Sequence, residues 1–249
     1  MPLKLMYITN SEDVAHIAEE AGVDRIFVDM EYIGKTDRQG GMDTVQSRHT
    51  ADDVRRLAQC LNKAELFVRV NPIHEKTDEY NSSKEEIDEA IEAGADLLML
   101  PYFKTAEEVQ TFVKYVNGRA KTVLLVETPE AAAIAEDLVQ IPGIDEMFIG
   151  LNDLSLGYGK NFMFELLLDG TVEELCLKFR KGGIPYGFGG IASLGKGMLP
   201  SEYVIKEHYR LGSACAILSR SFCRTGQVTD LKEIQKIFEI ELPKIRELE

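Results

Sequence analysis

Short runs of β-branched and aliphatic residues recur along the chain, and each is followed by a segment whose apolar positions repeat at helical spacing. The runs predict eight strands, at residues 5–9, 25–30, 66–71, 97–102, 122–127, 146–151, 185–190 and 214–219. Three of the segments between them begin after a residue type that favours the N-cap, namely Ser11, Thr50 and Thr105. Because neighbouring parallel strands need a crossover, which is usually a helix, this alternation predicts a parallel sheet.

Eight such units in 249 residues favour a closed (β/α)8 TIM barrel that forms a single α/β domain over residues 1–249. The two longest departures from the pattern are residues 33–49 and the glycine-rich segment 189–200. Both segments follow a strand, and in a barrel the segments that follow the strands form the face that carries the active site. We expect the second segment to be a flexible lid or a phosphate-binding loop. Residues 229–247 predict a helix that covers the barrel or docks on a neighbouring subunit.

Composition narrows the classes of partner. The chain has 28 Lys plus Arg against 42 Asp plus Glu, a formal net charge of −14. Such a surface repels phosphate backbones and anionic lipid headgroups, so nucleic-acid and membrane binding are not expected. The apolar runs are shorter than the roughly 20 residues of a membrane span, and the first residues lack the pattern of a signal peptide. We therefore expect a cytoplasmic protein whose four scattered cysteines stay reduced.

Charged side chains stand where several predicted strands end. Asp29 and Glu31 close the second strand, Arg69 lies near the end of the third, Glu127 ends the fifth, and Asp153 follows the sixth. The carboxyl ends of parallel strands meet at one end of a barrel, so we expect all five side chains there.

Glu127 and Asp153 belong to neighbouring units of the predicted barrel. Adjacent strands lie about 4.8 Å apart, so these two carboxylates are expected to come close together. One acidic residue at a strand end can equally cap a helix or pair with a lysine, but two adjacent ones repel unless a cation lies between them. Oxygen ligands with open positions suit Mg²⁺ or Mn²⁺.

The segments VDRIFVDMEY, LFVRVN, TVLLVETPEA and IDEMFIGLNDLSLGYG occur in this order. They resemble the HpcH/HpaI aldolase/citrate lyase family, over roughly residues 12–224. The resemblance implies a class II, metal-dependent carbon–carbon lyase on a TIM barrel of the phosphoenolpyruvate/pyruvate-binding type. It also implies that Glu127 and Asp153 hold the divalent cation, and that the protein is a homo-oligomer.

In the aldolase branch of that family, the metal chelates a pyruvate-type 2-oxo acid through its ketone and carboxylate, and an aldehyde is the other partner. The resemblance implies that Arg69 steadies the enolate oxygen. It implies further that the backbone amides of Gly150, Leu151, Asn152 and Asp153 receive the substrate carboxylate.

The sequence departs from the aldolase branch at one position. That branch commonly has a histidine directly after its D-x-E segment as the acid/base, whereas Tyr32 follows Glu31 here. A phenol with a pKa of about 10 is a poor base at neutral pH, so Tyr32 is expected only to contact substrate. His49, His74, Glu31 and a water bound to the metal are the candidate proton carriers.

Three other functions compete with the metal aldolase. An acyl-CoA lyase of the citrate lyase β-subunit type would use the same metal and arginine, but we find no clear adenine or pantetheine site. A Schiff-base aldolase needs a lysine at the end of a strand, whereas the position of Lys104 is typical of the entry to a helix. A non-catalytic descendant that binds a metabolite is suggested by Tyr32.

Overall fold

The computed structural model describes residues 2–34, 47–197, 199–225 and 227–248. Eight parallel strands form a closed barrel in which each strand pairs with the next and β8 pairs with β1. This confirms the predicted (β/α)8 barrel. The strands are β1 (Lys4–Ile8), β2 (Arg25–Asp29), β3 (Glu65–Arg69), β4 (Leu97–Leu100), β5 (Lys121–Val126), β6 (Glu146–Ile149), β7 (Tyr186–Ile191) and β8 (Cys215–Leu218).

Helices separate the strands, and within the described ranges they are α1 (Glu12–Glu20), α2 (Ala51–Cys60), α3 (Ser83–Glu92), α4 (Ala106–Val116), α5 (Pro129–Ala133), α6 (Ala135–Leu138), α7 (Leu151–Gly157), α8 (Glu165–Leu168), α9 (Thr171–Lys181), α10 (Ser201–Leu211) and α11 (Leu231–Leu248). The three predicted N-caps are confirmed: Ser11, Thr50 and Thr105 each accept a backbone N–H of the first turn. The segment after β5 contains two short helices, and the segment after β6 contains two short helices before the longer α9.

The barrel interior is filled by side chains from alternate strand positions. Phe27 of β2 and Phe67 of β3 stack there, with ring centroids 4.8 Å apart. A larger apolar layer lies between the outer face of the strands and the surrounding helices. The interior is therefore a packed core, and the polar site lies above it at the strand ends.

A buried ion cluster closes the amino end of the barrel. Arg25, the first residue of β2, is fully buried and donates to Glu65 at 2.9 Å and to Glu146 at 2.8 Å. Burial alone would lower the pKa of Arg25, but these two carboxylates raise it on balance. The guanidinium is therefore held in its charged form, paired on both sides.

The last helix packs on its own barrel. Its inner face is buried, and Phe238 meets Tyr7 of β1 edge-on at 4.9 Å. Arg246 donates to the Leu3 carbonyl at 2.6 Å and to the Asp24 carboxylate at 2.8 Å. A further contact of this helix with a neighbouring subunit stays a prediction.

The glycine-rich segment after the seventh strand begins later than predicted. Gly189 and Gly190 lie inside β7, as the predicted strand 185–190 had them, and Gly190 pairs with Ile217 after a register shift. Their inclusion in a lid or phosphate-binding loop after the strand was therefore wrong. Most of the other long segment, residues 35–46, lies outside the described residues. The four cysteines are free thiols. Among the described residues, none of the helices combines the length and apolar character needed to cross a membrane.

Candidate active site

Asp29 and Arg69 form a paired unit at the carboxyl ends of β2 and β3. They are the last residues of their strands and lie in register. Arg69 Nε donates to Asp29 Oδ1 and Nη2 donates to Oδ2, both at 2.8 Å, while Nη1 lies 3.4 Å from Glu31 Oε2. Burial alone would lower the pKa of Arg69, but the carboxylates of Asp29, Glu31 and Glu127 raise it on balance. Arg69 is thus a fixed positive charge in this site.

Glu127 is fixed from both sides by backbone. It follows β5 directly and is buried, and its Oε1 accepts the N–H of Tyr102 at 3.0 Å. On the other side lies Gly150, where an added Cβ would stand 2.7 Å from Glu127 Cβ and 2.9 Å from Oε2. The carboxylate therefore occupies space that only a glycine at position 150 leaves open.

Gly150 also begins the turn that carries Asp153. The helix α7 starts at Leu151, and none of the described side chains caps its first turn. Asp153 lies in that turn and is buried, with 9 % of its surface exposed. Its Oδ1 accepts a hydrogen bond from Asn152 Nδ2 at 3.3 Å. Leu151 is buried and faces β7 at Gly189. Glu127 thus lies against the start of the turn to which Asp153 belongs.

This donor set fits a small divalent cation. Both side chains offer carboxylate oxygens, both are buried, and both stand at the carboxyl end of the barrel. Oxygen ligands of this kind are the preference of Mg²⁺ and Mn²⁺, which keep other positions for water or substrate. Glu127 and Asp153 would be the residues that hold such an ion.

A second acidic group lies elsewhere, on the outer helix α1. His16, Glu19 and Glu20 bring one potential metal ligand each to within 4.8 Å of one another. Glu19 Oε1 already accepts the backbone N–H groups of residues 62–64, and Glu20 pairs with Lys63 at 2.8 Å. These bonds give the two carboxylates a structural role in holding the segment before β3.

The two loop histidines have different surroundings. His49 Nδ1 accepts the backbone N–H of Asp29 at 3.0 Å, which brings the ring to the end of β2. An amide can only donate, so this bond requires a neutral ring with its hydrogen on Nε2.

His74 is engaged by its own loop. Its Nδ1 lies 2.6 Å from the Pro72 carbonyl and its Nε2 lies 2.8 Å from the Asn81 carbonyl. The Ser83 hydroxyl also lies 3.0 Å from Nδ1, so both ring nitrogens are already engaged by neighbouring groups.

Tyr32 stands at the rim beside Glu31. Its side chain is about half exposed, its ring meets Tyr80 edge-on at 6.4 Å, and its N–H is bonded to Asn71 Oδ1 at 2.9 Å. Partial burial, together with Glu86 and Tyr80, raises the pKa of Tyr32 above its usual value of 10.0. The phenol therefore stays protonated at neutral pH and can donate a hydrogen bond.

Two contributors were missed by the sequence analysis. Asn71 joins the segments after β2 and β3, because it accepts from Tyr32 and Ile33 and donates to Glu86 at 2.7 Å. Tyr102 supplies the amide that holds Glu127. The signal for Asn71 was a polar residue directly after an apolar strand; nothing in the sequence marks a backbone donor such as Tyr102.

The fold and the site together define a TIM barrel with an arginine and several buried carboxylates at the carboxyl ends of its strands. The chain belongs to the HpcH/HpaI aldolase/citrate lyase family, whose model matches residues 4–167. Membership in this family supports a carbon–carbon lyase, and its members generally depend on a divalent metal.

Solved structures agree with the fold. An HpcH/HpaI aldolase/citrate lyase family protein from Burkholderia cenocepacia J2315 is 16 % identical, with a TM-score of 0.69 over 94 % of this chain and 95 % of that one. An HpcH/HpaI aldolase from Desulfitobacterium hafniense DCB-2 is 14 % identical, with a TM-score of 0.67 over 94 % and 93 %. Macrophomate synthase is 15 % identical, with a TM-score of 0.59 over 95 % and 85 %. No curated protein matches the sequence.

Proposed function

We propose that the chain is a divalent-metal-dependent aldolase, which cleaves or forms a 2-oxo acid through a pyruvate-type enolate. The observation that carries this proposal is the Glu127 carboxylate, held against Gly150 at the start of the turn that bears Asp153. A Mg²⁺ or Mn²⁺ ion held by these carboxylates would polarise the substrate ketone and stabilise the negative charge of the enolate.

Arg69 has a role beside the ion. Its guanidinium has five N–H donors, and two of them are used on Asp29. Asp29 therefore orients the group, and the other donors are left to meet the enolate oxygen or Glu31. A fixed charge that is already oriented where an oxyanion develops lowers the barrier without reorganisation.

The substrate carboxylate is assigned to the amides of Leu151, Asn152 and Asp153 at the start of α7, since no described side chain caps that turn. The amide of Gly150, which the sequence analysis expected to share this role, instead donates to the Val126 carbonyl at 3.0 Å. Tyr32 is assigned to the rim, where its hydroxyl can donate to an oxygen of the substrate or of the aldehyde partner. These substrates are small molecules, as in the family to which the chain belongs.

The proton carrier is assigned to Glu31 in preference to either histidine. Cleavage moves one proton from the substrate hydroxyl to the enolate carbon, so the carrier must both accept and release it. His49 is held neutral with its hydrogen on Nε2, which suits a hydrogen-bond donor to an oxyanion rather than a base. His74 has both nitrogens on carbonyl oxygens.

The metal site is tested by binding and by half of the reaction. We expect the wild type to bind Mn²⁺, seen as loss of the free-ion EPR signal, and to exchange the methyl protons of pyruvate with deuterium in an EDTA-sensitive way. Glu127→Gln and Asp153→Asn should lose both properties. Glu136→Gln, which removes an exposed acid on α6, should keep both.

Unchanged Mn²⁺ affinity in both site variants would overturn the metal assignment. Mn²⁺ binding without exchange in the wild type would instead overturn the lyase and favour a metabolite-binding protein. Turnover of malyl or citramalyl thioesters, but not of 2-oxo acids, would favour the acyl-CoA lyase.

The proton carrier is tested by the pH dependence of the same exchange. We expect Glu31→Gln to lose exchange by about 10²–10⁴-fold, the usual contribution of a general acid or base. In His49→Ala and His74→Ala we expect at most a lower exchange rate, and the shape of the pH profile should not change. A profile that loses one of its limbs in either histidine variant would move the assignment to that histidine.

A further inference from the structure

Tyr102 has a backbone conformation that tyrosine rarely adopts. Its φ is 48°, and within the described part of the chain only Asn117, with φ 50°, shares a positive φ among residues other than glycine. Asn117 ends α4 in the usual left-handed cap. Asparagine tolerates this region well, whereas a large aromatic residue adopts it only where surrounding structure holds it there.

The strained residue lies next to the proposed metal ligand. It follows β4 after Pro101, and its N–H is the donor that meets Glu127 Oε1 at 3.0 Å. Its ring lies 5.5 Å from Lys104 Nζ, and Lys104 in turn pairs with Glu130 of α5 at 3.2 Å. The segment after β4 is thereby tied to the segment that begins at Glu127.

Glu127 is consequently held between two backbones. The amide of Tyr102 binds Oε1 on the β4 side, and on the β6 side Gly150 comes so close that a Cβ added there would stand 2.9 Å from Oε2. The orientation of the N–H at a given position depends on φ and ψ there. Relaxation of Tyr102 to an extended conformation would turn this donor away from the carboxylate.

We propose that Tyr102 is a positioning residue, whose left-handed backbone aims its amide at Glu127 and so fixes the carboxylate in the orientation needed for a divalent cation. This inference rests on the proposed metal site of Glu127 and Asp153. Groups that hydrogen-bond a metal ligand typically change metal affinity by about 10–100-fold when removed.

The donor itself is removed by an amide-to-ester exchange at position 102, in which the hydroxy-acid analogue of tyrosine is incorporated in the full chain. We expect the affinity for Mn²⁺, measured by EPR titration, to fall by about 10–100-fold. Tyr102→Asn keeps the amide and tolerates a positive φ, so it should bind Mn²⁺ within about twofold of the wild type.

The strain is tested by Tyr102→Gly, with Asn117→Gly as the matched control. Glycine frees the backbone in both variants, and we expect the midpoint of thermal unfolding to stay within a few degrees of the wild type. Only Tyr102→Gly should weaken Mn²⁺ binding, because Asn117 lies at the end of α4 and its N–H bonds to Val113.

Three outcomes would count against the proposal. Wild-type Mn²⁺ affinity in the ester variant would remove the amide from the site, and an equal loss in Tyr102→Asn would assign the effect to the ring. In both cases the metal site itself survives if Glu127→Gln still abolishes binding. Failure of the wild type to bind Mn²⁺ would instead overturn the proposed metal site and this inference together.

Discussion

At the scale of single residues, the carboxyl end of the barrel is organised around one guanidinium. Two nitrogens of Arg69 donate parallel hydrogen bonds to Asp29, and the third nitrogen lies near Glu31. Such a planar fork fits a carboxylate in one orientation only. The direction of the remaining donors is therefore set by Asp29, which makes Asp29 as important for the proposed chemistry as Arg69.

Arg69→Lys is expected to lose most of the pyruvate exchange activity. A lysine ammonium is a point charge and cannot make both bonds to Asp29 while it reaches the enolate oxygen. Removal of one donor to an oxyanion typically raises the barrier by about 2.7–4 kcal/mol, or roughly 10²–10³-fold in rate. The measurement is the exchange rate at saturating Mn²⁺ and pyruvate.

The matched control is Arg210→Lys. Arg210 also binds a carboxylate through two nitrogens, on Glu207, but it lies on the outer surface of α10. This variant should keep the wild-type rate. Near wild-type exchange in Arg69→Lys would show that a simple positive charge is sufficient at this position.

The sequence was sufficient to predict which charged residues lie at the strand ends, but not which of them contact each other. Charges at strand ends are visible, because a polar residue after an apolar run marks the end of a buried strand. The pairing of Asp29 with Arg69, and the hydrogen bond from the Asp29 amide to His49, depend on side-chain conformations and join residues that are 40 and 20 positions apart. No local pattern encodes either.

At the scale of elements, the strands were placed more accurately than the segments that join them. All eight predicted strands exist, because continuous apolar runs are typical of a parallel sheet covered on both faces. The break of the helical segment after β5 at Ile134, and the extension of β7 to Ile191, were not foreseen. Both are decided by packing on neighbouring strands and helices rather than by local preference.

Packing between α10 and β7 predicts a loss of stability in mild acid. His208 is fully buried, its ring stacks on Phe188 at 3.9 Å, and burial lowers its pKa from 6.5 to about 3. The unfolded chain binds this proton below about pH 6.5, but the folded chain does not. The free energy of unfolding should thus fall as pH decreases from 6.5 toward 3, by up to about 1.4 kcal/mol per pH unit.

Urea unfolding at pH 7.0, 6.0 and 5.0 measures this slope, above the range in which most carboxylates titrate. His208→Phe keeps an aromatic ring on Phe188 but cannot bind a proton, so its slope should be flatter than that of the wild type. His16→Ala, which removes an exposed histidine of α1, should keep the wild-type slope. Equal slopes in all three proteins would contradict the prediction.

At the scale of the whole molecule, the two ends of the barrel have different tasks. The amino end is closed by Arg25 with Glu65 and Glu146, whereas the carboxyl end holds the candidate active site. In this architecture residues at the amino end contribute to stability and those at the carboxyl end to chemistry. The core of side chains inside the barrel separates the two charged groups.

Arg25→Met is expected to destabilise the fold without changing the metal site. It leaves the Glu146 carboxylate without its guanidinium partner, a kind of change that costs about 3–5 kcal/mol, whereas Glu65 keeps its ion pair with Lys121. The midpoint of thermal unfolding should therefore drop by several degrees. At a temperature where the variant is folded, its Mn²⁺ affinity should equal that of the wild type; a weaker affinity would show that the two ends are coupled.

The contact of Arg246 with Leu3, and the pairing of β1 with β8, join parts of the chain that are separated by more than 200 residues. During synthesis on the ribosome, one edge of β1 keeps unpaired backbone hydrogen-bonding groups until β8 and the last helix have emerged. The nascent chain is consequently exposed to wrong pairing at that edge while the residues between β1 and β8 are being synthesised. Completion of the barrel, rather than formation of any one strand, is then the step that chaperones would have to protect.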